Sequence, residues 1–273
     1  MNQKAIAIYC FLDDFLQAVR WKEDKRTRLT DAQVLTVGLL AALYFYGNQA
    51  SALRYLVDHH GFYPLEKSQF NRRLHRLSPQ LMVIFRAVAT SLKYLNTESR
   101  YLLDSFPVAV CHNIRIARCR LLEEEAYRGY CSSKKSYFYG FRVQMMTTEA
   151  GLPVDFYLYA GAFVDVTDWQ TMPVDLPAGS ELYADSGYTD YQVEDLLQEC
   201  DQIHLRTVRK KNSQRSDPAW LAYLKHHFRK RIETVFSQIK AHFPAHIHAV
   251  TAEGFILKIT LFIIALTLDY LTT

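Results

Sequence analysis

Near residue 230 the chain reads Arg229-Lys230-Arg231-Ile232-Glu233-Thr234-Val235-Phe236-Ser237-Gln238-Ile239-Lys240, one carboxylate in a field of positive charge. The apolar residues recur with helical spacing. At a rise of 1.5 Å and 3.6 residues per turn, Arg229, Glu233 and Lys240 share one face over about 16 Å, with Ile232, Val235, Phe236 and Ile239 turned to a core. A carboxylate that holds a metal beside a polyanion needs such cationic neighbours. Two more acids end or interrupt apolar extended runs, Tyr101-Leu102-Leu103-Asp104-Ser105-Phe106-Pro107-Val108 and Leu182-Tyr183-Ala184-Asp185-Ser186-Gly187-Tyr188. Each reads as a strand delivering an acid. Carboxylate oxygens suit hard divalent cations. Two such ions, ~3.5–4 Å apart, activate a water near neutral pH and stabilise both oxygens of a phosphodiester displacement.

Asp104, Asp185 and Glu233, two on strands and the third on a late helix, resemble the DDE triad of insertion-sequence transposases. Further motifs carry the resemblance: Ser68-Gln69-Phe70-Asn71-Arg72-Arg73-Leu74-His75, Asp104-Ser105-Phe106-Pro107, Tyr137-Phe138-Tyr139-Gly140-Phe141, Asp185-Ser186-Gly187-Tyr188 and Ile232-Glu233-Thr234-Val235-Phe236-Ser237. Their order resembles the nine-eight-two family of bacterial insertion-sequence transposases, within the wider IS-four-like group. That group's pattern Tyr-x2-Arg-x3-Glu-x6-Lys maps onto His226, Arg229, Glu233 and Lys240; the first position departs from it, and Tyr223, one turn earlier, is the alternative phenol. The resemblance implies Mg²⁺, with Mn²⁺ able to substitute, held by Asp104, Asp185 and Glu233. It also implies a double-stranded DNA partner (element ends and target), a homo-oligomer on DNA, and a bacterial cytoplasmic, nucleoid-associated location.

Arg229 and Lys240 are read as gripping DNA phosphates, since guanidinium matches phosphate bidentately; the competing reading of Arg229 is an i,i+4 salt bridge with Glu233 worth only ~0.3 kcal/mol. Other acids compete for the third ligand position. Asp165 and Asp168 are read as helix caps, while Glu194, Asp195 and Glu199 are placed on a solvated helix face that brings no cation to them. His226-His227 and His246-x-His248 lack a firm fourth ligand, and adjacent helical residues point about 100° apart. No Gly-x-Ser-x-Gly elbow and no Gly-x4-Gly-Lys loop occurs, so neither a serine hydrolase nor a nucleotide cofactor is indicated.

The net charge is only +4, yet residues 206–240 hold ten Lys or Arg against Asp217 and Glu233. Charge concentrated in this way is a footprint for a polyanion, and Arg209, Lys210 and Lys211 are assigned to phosphate contact. Five cysteines without a Cys-x2-Cys pair give neither a disulfide framework nor a thiolate zinc site. Asp13 and Asp14 interrupt any export signal. The apolar stretch Gly254 to Leu271 falls short of a ~20-residue span and carries Lys258 and Asp269, which favours a packing or dimerising helix over a membrane span.

These residues must be positioned by two kinds of structure. Residues 1–99 read as an all-α DNA-binding region, with helices capped by Thr30 and ended near Gly47, from Ser51 to His60, from Leu65 to Leu77, and opening at Ser78-Pro79. The Leu65–Leu77 helix is either a DNA-reading helix, with Arg72 and Arg73 at base edges, or a solvated basic face. From 100 to 273 the pattern is α/β. Strands are expected at 101–110, 137–147, 154–160, 181–185 and 203–208, helices at 167–174, 190–199 and 219–240, and an irregular basic excursion at 111–136. That order is the one expected of an RNase H-like catalytic domain with a mixed five-stranded sheet, closed by C-terminal helices. The functional reading is a transposase that binds terminal inverted repeats and catalyses cleavage and strand transfer. The alternatives are a non-cleaving DNA-binding regulator and an RNase H-like nuclease without strand transfer.

Overall fold

In the computed structural model, residues 1–131, 135–163 and 172–271 are described. Five helices come first: α1 (Asn2–Ala18), α2 (Asp31–Tyr44), α3 (Gln49–His60), α4 (Lys67–Arg76) and α5 (Ser78–Leu95). Thr30 starts α2 through a reciprocal capping box, its Oγ1 accepting from Gln33 N at 3.1 Å while Gln33 Oε1 accepts from Thr30 N at 2.8 Å. α1 buries Ala5, Ile8, Leu12 and Leu16, a single stripe, whereas α2 is buried almost all round. A helix apolar on every side needs partners on every side.

Strands β1 (Arg100–Cys111), β2 (Arg128–Cys131), β3 (Ser136–Thr148), β4 (Pro153–Ala160) and β5 (Glu181–Ala184) follow, then α6 (Tyr191–Cys200), β6 (His204–Thr207), α7 (Ala219–His242) and α8 (Ala252–Leu271). The sheet has six strands in the order β2-β3-β1-β5-β6, with β4 also on β3. β1 and β3 are antiparallel from Tyr101↔Thr148 onward. β5 joins β1 in parallel, and β6 joins β5 in parallel. This mixed sheet with its helices fits the RNase H-like plan, with one correction. Residues 111–136 are not wholly irregular: β2 lies there and pairs antiparallel with Ser136–Tyr139, which makes the sheet six-stranded rather than five-stranded. The glycine of Tyr137-Phe138-Tyr139-Gly140-Phe141 has a steric cause, because a Cβ at Gly140 would lie 2.3 Å from the Val108 carbonyl oxygen. The helix expected at 167–174, with Asp165 and Asp168 as its caps, falls largely outside the described residues.

The chain divides into two compact units, Met1–Ala87 with His242–Thr273, and Val88–Ala241. The C-terminal helix, expected with the catalytic part, thus groups with the N-terminal helices. α8 is long and apolar enough to cross a membrane by length and composition, but 67% of its apolar stretch is buried in the protein. Its partner in burial is α2: Gly38 lets the two backbones approach, since a Cβ there would meet Leu261 Cδ2 at 3.2 Å.

Candidate active site

β1 and β5 run parallel with Leu102 paired to Tyr183 and Leu103 to Ala184. The next residues along these neighbouring strands are Asp104 and Asp185, so the two acids stand side by side where strand spacing is about 4.8 Å. Side chains alternate across a sheet, which puts Leu102, Asp104 and Phe106 on one face together with Tyr183. α7 covers that face. Tyr183 stacks on Phe228 with ring centroids 3.8 Å apart, and Phe106 meets Phe236 edge-on at 6.4 Å. Asp104 and Asp185 are both half-buried. Asp185 also starts the 3-10 turn Ser186–Tyr188, its Oδ1 accepting from Ser186 N at 2.7 Å.

α7 buries Phe228, Ile232, Val235, Phe236 and Ile239, and leaves Arg229, Glu233 and Lys240 exposed. The turn between β3 and β4 holds it on either side of Glu233. Arg231 Nε donates to the Glu149 carbonyl at 3.0 Å, and Gly151 faces Val235 so closely that a Cβ there would sit 3.2 Å from Val235 Cγ1. Arg229 Nε lies 3.4 Å from Glu233 Oε1 and 3.9 Å from Asp185 Oδ1. One guanidinium therefore stands between two of the three acids. Lys240 Nζ lies 5.8 Å from the centre of the Phe106 ring, on the strand that carries Asp104. Tyr223 and His226, the two candidates for the aromatic position of the transposase pattern, are both exposed on α7.

The three acids supply hard oxygen donors only, which fits Mg²⁺ or Mn²⁺ in kind. Asp104 and Asp185 stand on neighbouring strands, each following the pair Leu103 and Ala184. Among the described residues, however, no three His, Cys, Asp or Glu side chains are gathered closely enough to hold a metal ion. Glu233 is engaged by Arg229, whose Nε lies 3.4 Å from its Oε1.

The basic segment looks different in three dimensions. Arg209, assigned to phosphate from the sequence, is only 10% exposed: its Nη2 reaches Glu194 Oε1 at 2.5 Å, its Nε lies 3.8 Å from Asp217, and its guanidinium lies over the Tyr191 ring. Arg215 takes both oxygens of Asp195 at 2.7 Å, and Arg206 reaches Glu181 at 3.3 Å. Lys225, 3% exposed, donates to both oxygens of Asp217 at 2.7 and 2.8 Å. Burial pushes its ammonium below the ordinary lysine range, against the pull of Asp217. Glu194 and Asp195 are therefore not a cation-free solvated face. They neutralise arginines that a local charge count takes as free. Lys210, Lys211, Lys230 and Lys240 remain exposed.

On α4, Arg72 is exposed but Arg73 is not available to a base edge. Arg73 donates to the Leu29 carbonyl, reaches Asp31 Oδ1 at 2.5 Å and lies 3.5 Å from Glu23. Asp31, which is 1% exposed, needs that partner in a low-dielectric site. Nothing in the sequence marks the Arg73–Asp31 or Lys225–Asp217 pairs, because their members are not spaced as helical neighbours.

The model of the family described as "Transposase DDE domain" matches residues 96–248, more than half of the chain and inclusive of all three acids. No curated protein and no solved structure matches the chain.

Proposed function

The chain belongs to the DDE transposase family, and on that premise we propose that it is a metal-dependent DNA transposase of the nine-eight-two insertion-sequence kind. It binds the terminal inverted repeats of its own element, cuts there and joins the freed 3′ end to target DNA. The observation that carries this reading is the set of acids on one side of the sheet. Asp104 and Asp185 each come directly after the last β1–β5 pair, Leu103 with Ala184, and Arg229 links Asp185 to Glu233.

Asp104, Asp185 and Glu233 are the residues that would hold Mg²⁺ or Mn²⁺. When bound, the ions make a water or a 3′-hydroxyl nucleophilic and stabilise the attacking and leaving oxygens. Arg229 releases the carboxylates and grips a phosphate next to the scissile bond, which suits its planar fork. Lys240, over Phe106, holds the strand on the Asp104 side. Lys210 and Lys211 add phosphate contacts outside the site, and the N-terminal helices contribute to recognition of the ends. Such a protein works on DNA in the bacterial cytoplasm, as an oligomer that holds two element ends.

The guanidinium between Asp185 and Glu233 also favours a second reading, a transposase-derived regulator that binds the ends without cutting. Incubation of the protein with its own element ends and Mg²⁺, with products mapped on a sequencing gel, separates the two. Nicks at the element boundary and joined products support the transposase; stable binding without any product supports the regulator.

A further inference from the structure

An open recess of about 590 Å³ in the N-terminal unit is lined by Arg26, Arg28, Arg72, Arg73 and Arg76 together with Tyr63. Two pieces of chain supply its arginines. Gln69, Arg72, Arg73 and Arg76 are spaced i, i+3, i+4 and i+7, one stripe of α4, while Phe70 and Leu74 hold the opposite side in the core. Arg26 and Arg28 come from the connection between α1 and α2.

Two of these arginines are held closely by carboxylates. Arg73 is bound to Asp31, and Arg26 is held by both oxygens of Asp24 at 3.0 and 2.9 Å. Arg76 lies 3.8 Å from Asp31, whose two oxygens already accept from Arg73 and from Trp21 Nε1. Among the described residues, Arg28 and Arg72 have no carboxylate within ion-pair distance. Arg28 is nonetheless held in place, because it lies over the Tyr63 ring at 5.0 Å and donates to Tyr63 Oη at 2.7 Å. Asp24, Asp31 and Glu23 answer Arg26, Arg73 and in part Arg76, so the positive charge left at the recess is chiefly that of Arg28 and Arg72. No acid is among the lining residues.

We infer that this recess is a docking site for the sugar-phosphate backbone of double-stranded DNA, with Arg28, Arg72 and Arg76 as its phosphate contacts. The inference rests on the reading of the chain as a DNA-acting transposase and goes beyond it in assigning the α1–α2 connection a role. The α4 stripe is about 10 Å long. Each DNA strand presents a phosphate every ~3.4 Å along the axis, so the stripe spans more than one. Arg73, at the centre of the stripe, is turned inward to Asp31. The face left to the ligand is a set of flanking charges, which suits backbone phosphates rather than one guanine edge.

The test is binding of the full-length chain to its element ends and to an unrelated duplex of equal length, over a salt series, for wild type and the double variant Arg28→Gln/Arg72→Gln. The double variant is expected to weaken binding to both duplexes by the same factor. The slope of log K against log salt should fall by about 0.9 for each phosphate that the variant no longer neutralises. Arg76→Gln alone, at a side chain 60% exposed, should show the same behaviour to a smaller degree and covers the case in which the double variant misfolds. Unchanged affinity and slope in variants whose wild-type parent binds DNA would overturn the site alone. Weakening confined to the element ends would overturn it in favour of base reading. Selective displacement of DNA from wild type by inorganic phosphate, against chloride at equal ionic strength, would make it a free-phosphate site instead. A wild-type chain that binds neither duplex would defeat the DNA reading itself, and the site with it.

Discussion

Arg229, on the helix that carries Glu233, reaches Asp185 at the end of β5, with 3.9 Å from Nε to Oδ1. Through this charge pair the late helix is tied to the end of β5, beside the strand that carries Asp104. The pair also places a cation among carboxylates that would otherwise repel one another. Both side chains are roughly half exposed, so the pair contributes little to stability and can exchange partners.

Replacing Arg229 by Gln should change the unfolding free energy by no more than ~0.2–1 kcal/mol, the value of an exposed pair. Cleavage of end DNA should fall, because the phosphate grip is removed. The acids, relieved of a competing cation, should take up Mg²⁺ at lower concentration, so a calorimetric Mg²⁺ titration of the variant is expected to shift to tighter binding. A shift to weaker binding would count against the placement of metal at Asp185 and Glu233.

Glu233→Gln keeps size but removes the anionic ligand. Binding to end DNA should survive while cleavage in Mg²⁺ drops by orders of magnitude, and Asp104→Asn and Asp185→Asn should behave alike. Glu199→Gln, at an exposed position on α6, should cleave like wild type. Glu194→Gln is expected to lower the unfolding midpoint, since it removes the partner of a nearly buried arginine, but to leave cleavage per folded molecule intact. A dead, fully stable Glu194→Gln beside an active Glu233→Gln would move the third ligand to α6.

Lys210→Ala/Lys211→Ala should weaken binding to all duplexes similarly and lower the salt slope by about 0.9 per phosphate released from neutralisation. Arg209→Ala, one residue away, should instead lower stability, with little change of slope, because Arg209 is tied to Glu194 and Asp217. Salt-dependent binding combined with urea denaturation distinguishes the two outcomes.

Lys225→Met should destabilise the chain by about 3–5 kcal/mol, because it leaves Asp217 largely buried without its counter-charge. The pH dependence has a definite sign. Burial lowers the folded-state pKa of Lys225, so the unfolded chain binds that proton more tightly. This contribution to stability therefore grows as pH rises from the folded-state pKa toward the ordinary lysine value. The gap in urea midpoint between wild type and Lys225→Met should accordingly be wider at about pH 9.5 than at about pH 7.

The acids are legible in the sequence because each is announced by local pattern. Asp104 and Asp185 follow apolar runs of strand length, and Glu233 sits on the charged face of an amphipathic helix whose apolar positions are those found buried. The start of α2 and the end of α3 are equally legible, since capping by Thr30 and a left-handed Gly61 are short-range chemistry. What those patterns lack is any statement of which strands are neighbours. Only the parallel register of β1 with β5 sets Asp104 beside Asp185. Only packing of α7 on the sheet face, through Phe228 on Tyr183 and Phe236 on Phe106, and on the β3–β4 turn, brings Arg229 to Asp185 and Glu233.

Charge is the least legible quantity. A cation's availability depends on acids that lie close in space, and those for Arg209 and Arg215 come from α6, 15 and 20 residues earlier in the chain. Arg73 finds Asp31 at a separation of 42 residues. The short strand β2 escapes a sequence reading for a related reason: with Arg128, Gly129, Tyr130 and Cys131 it has no alternation of its own, and pairing with β3 makes it a strand. The C-terminal helix shows the same division. Its sequence says that it must be buried. That it is buried with α2, in the N-terminal unit, is a property of two helix surfaces far apart in the chain that only the folded protein brings together, and Gly38 on α2 leaves room for Leu261 where they meet.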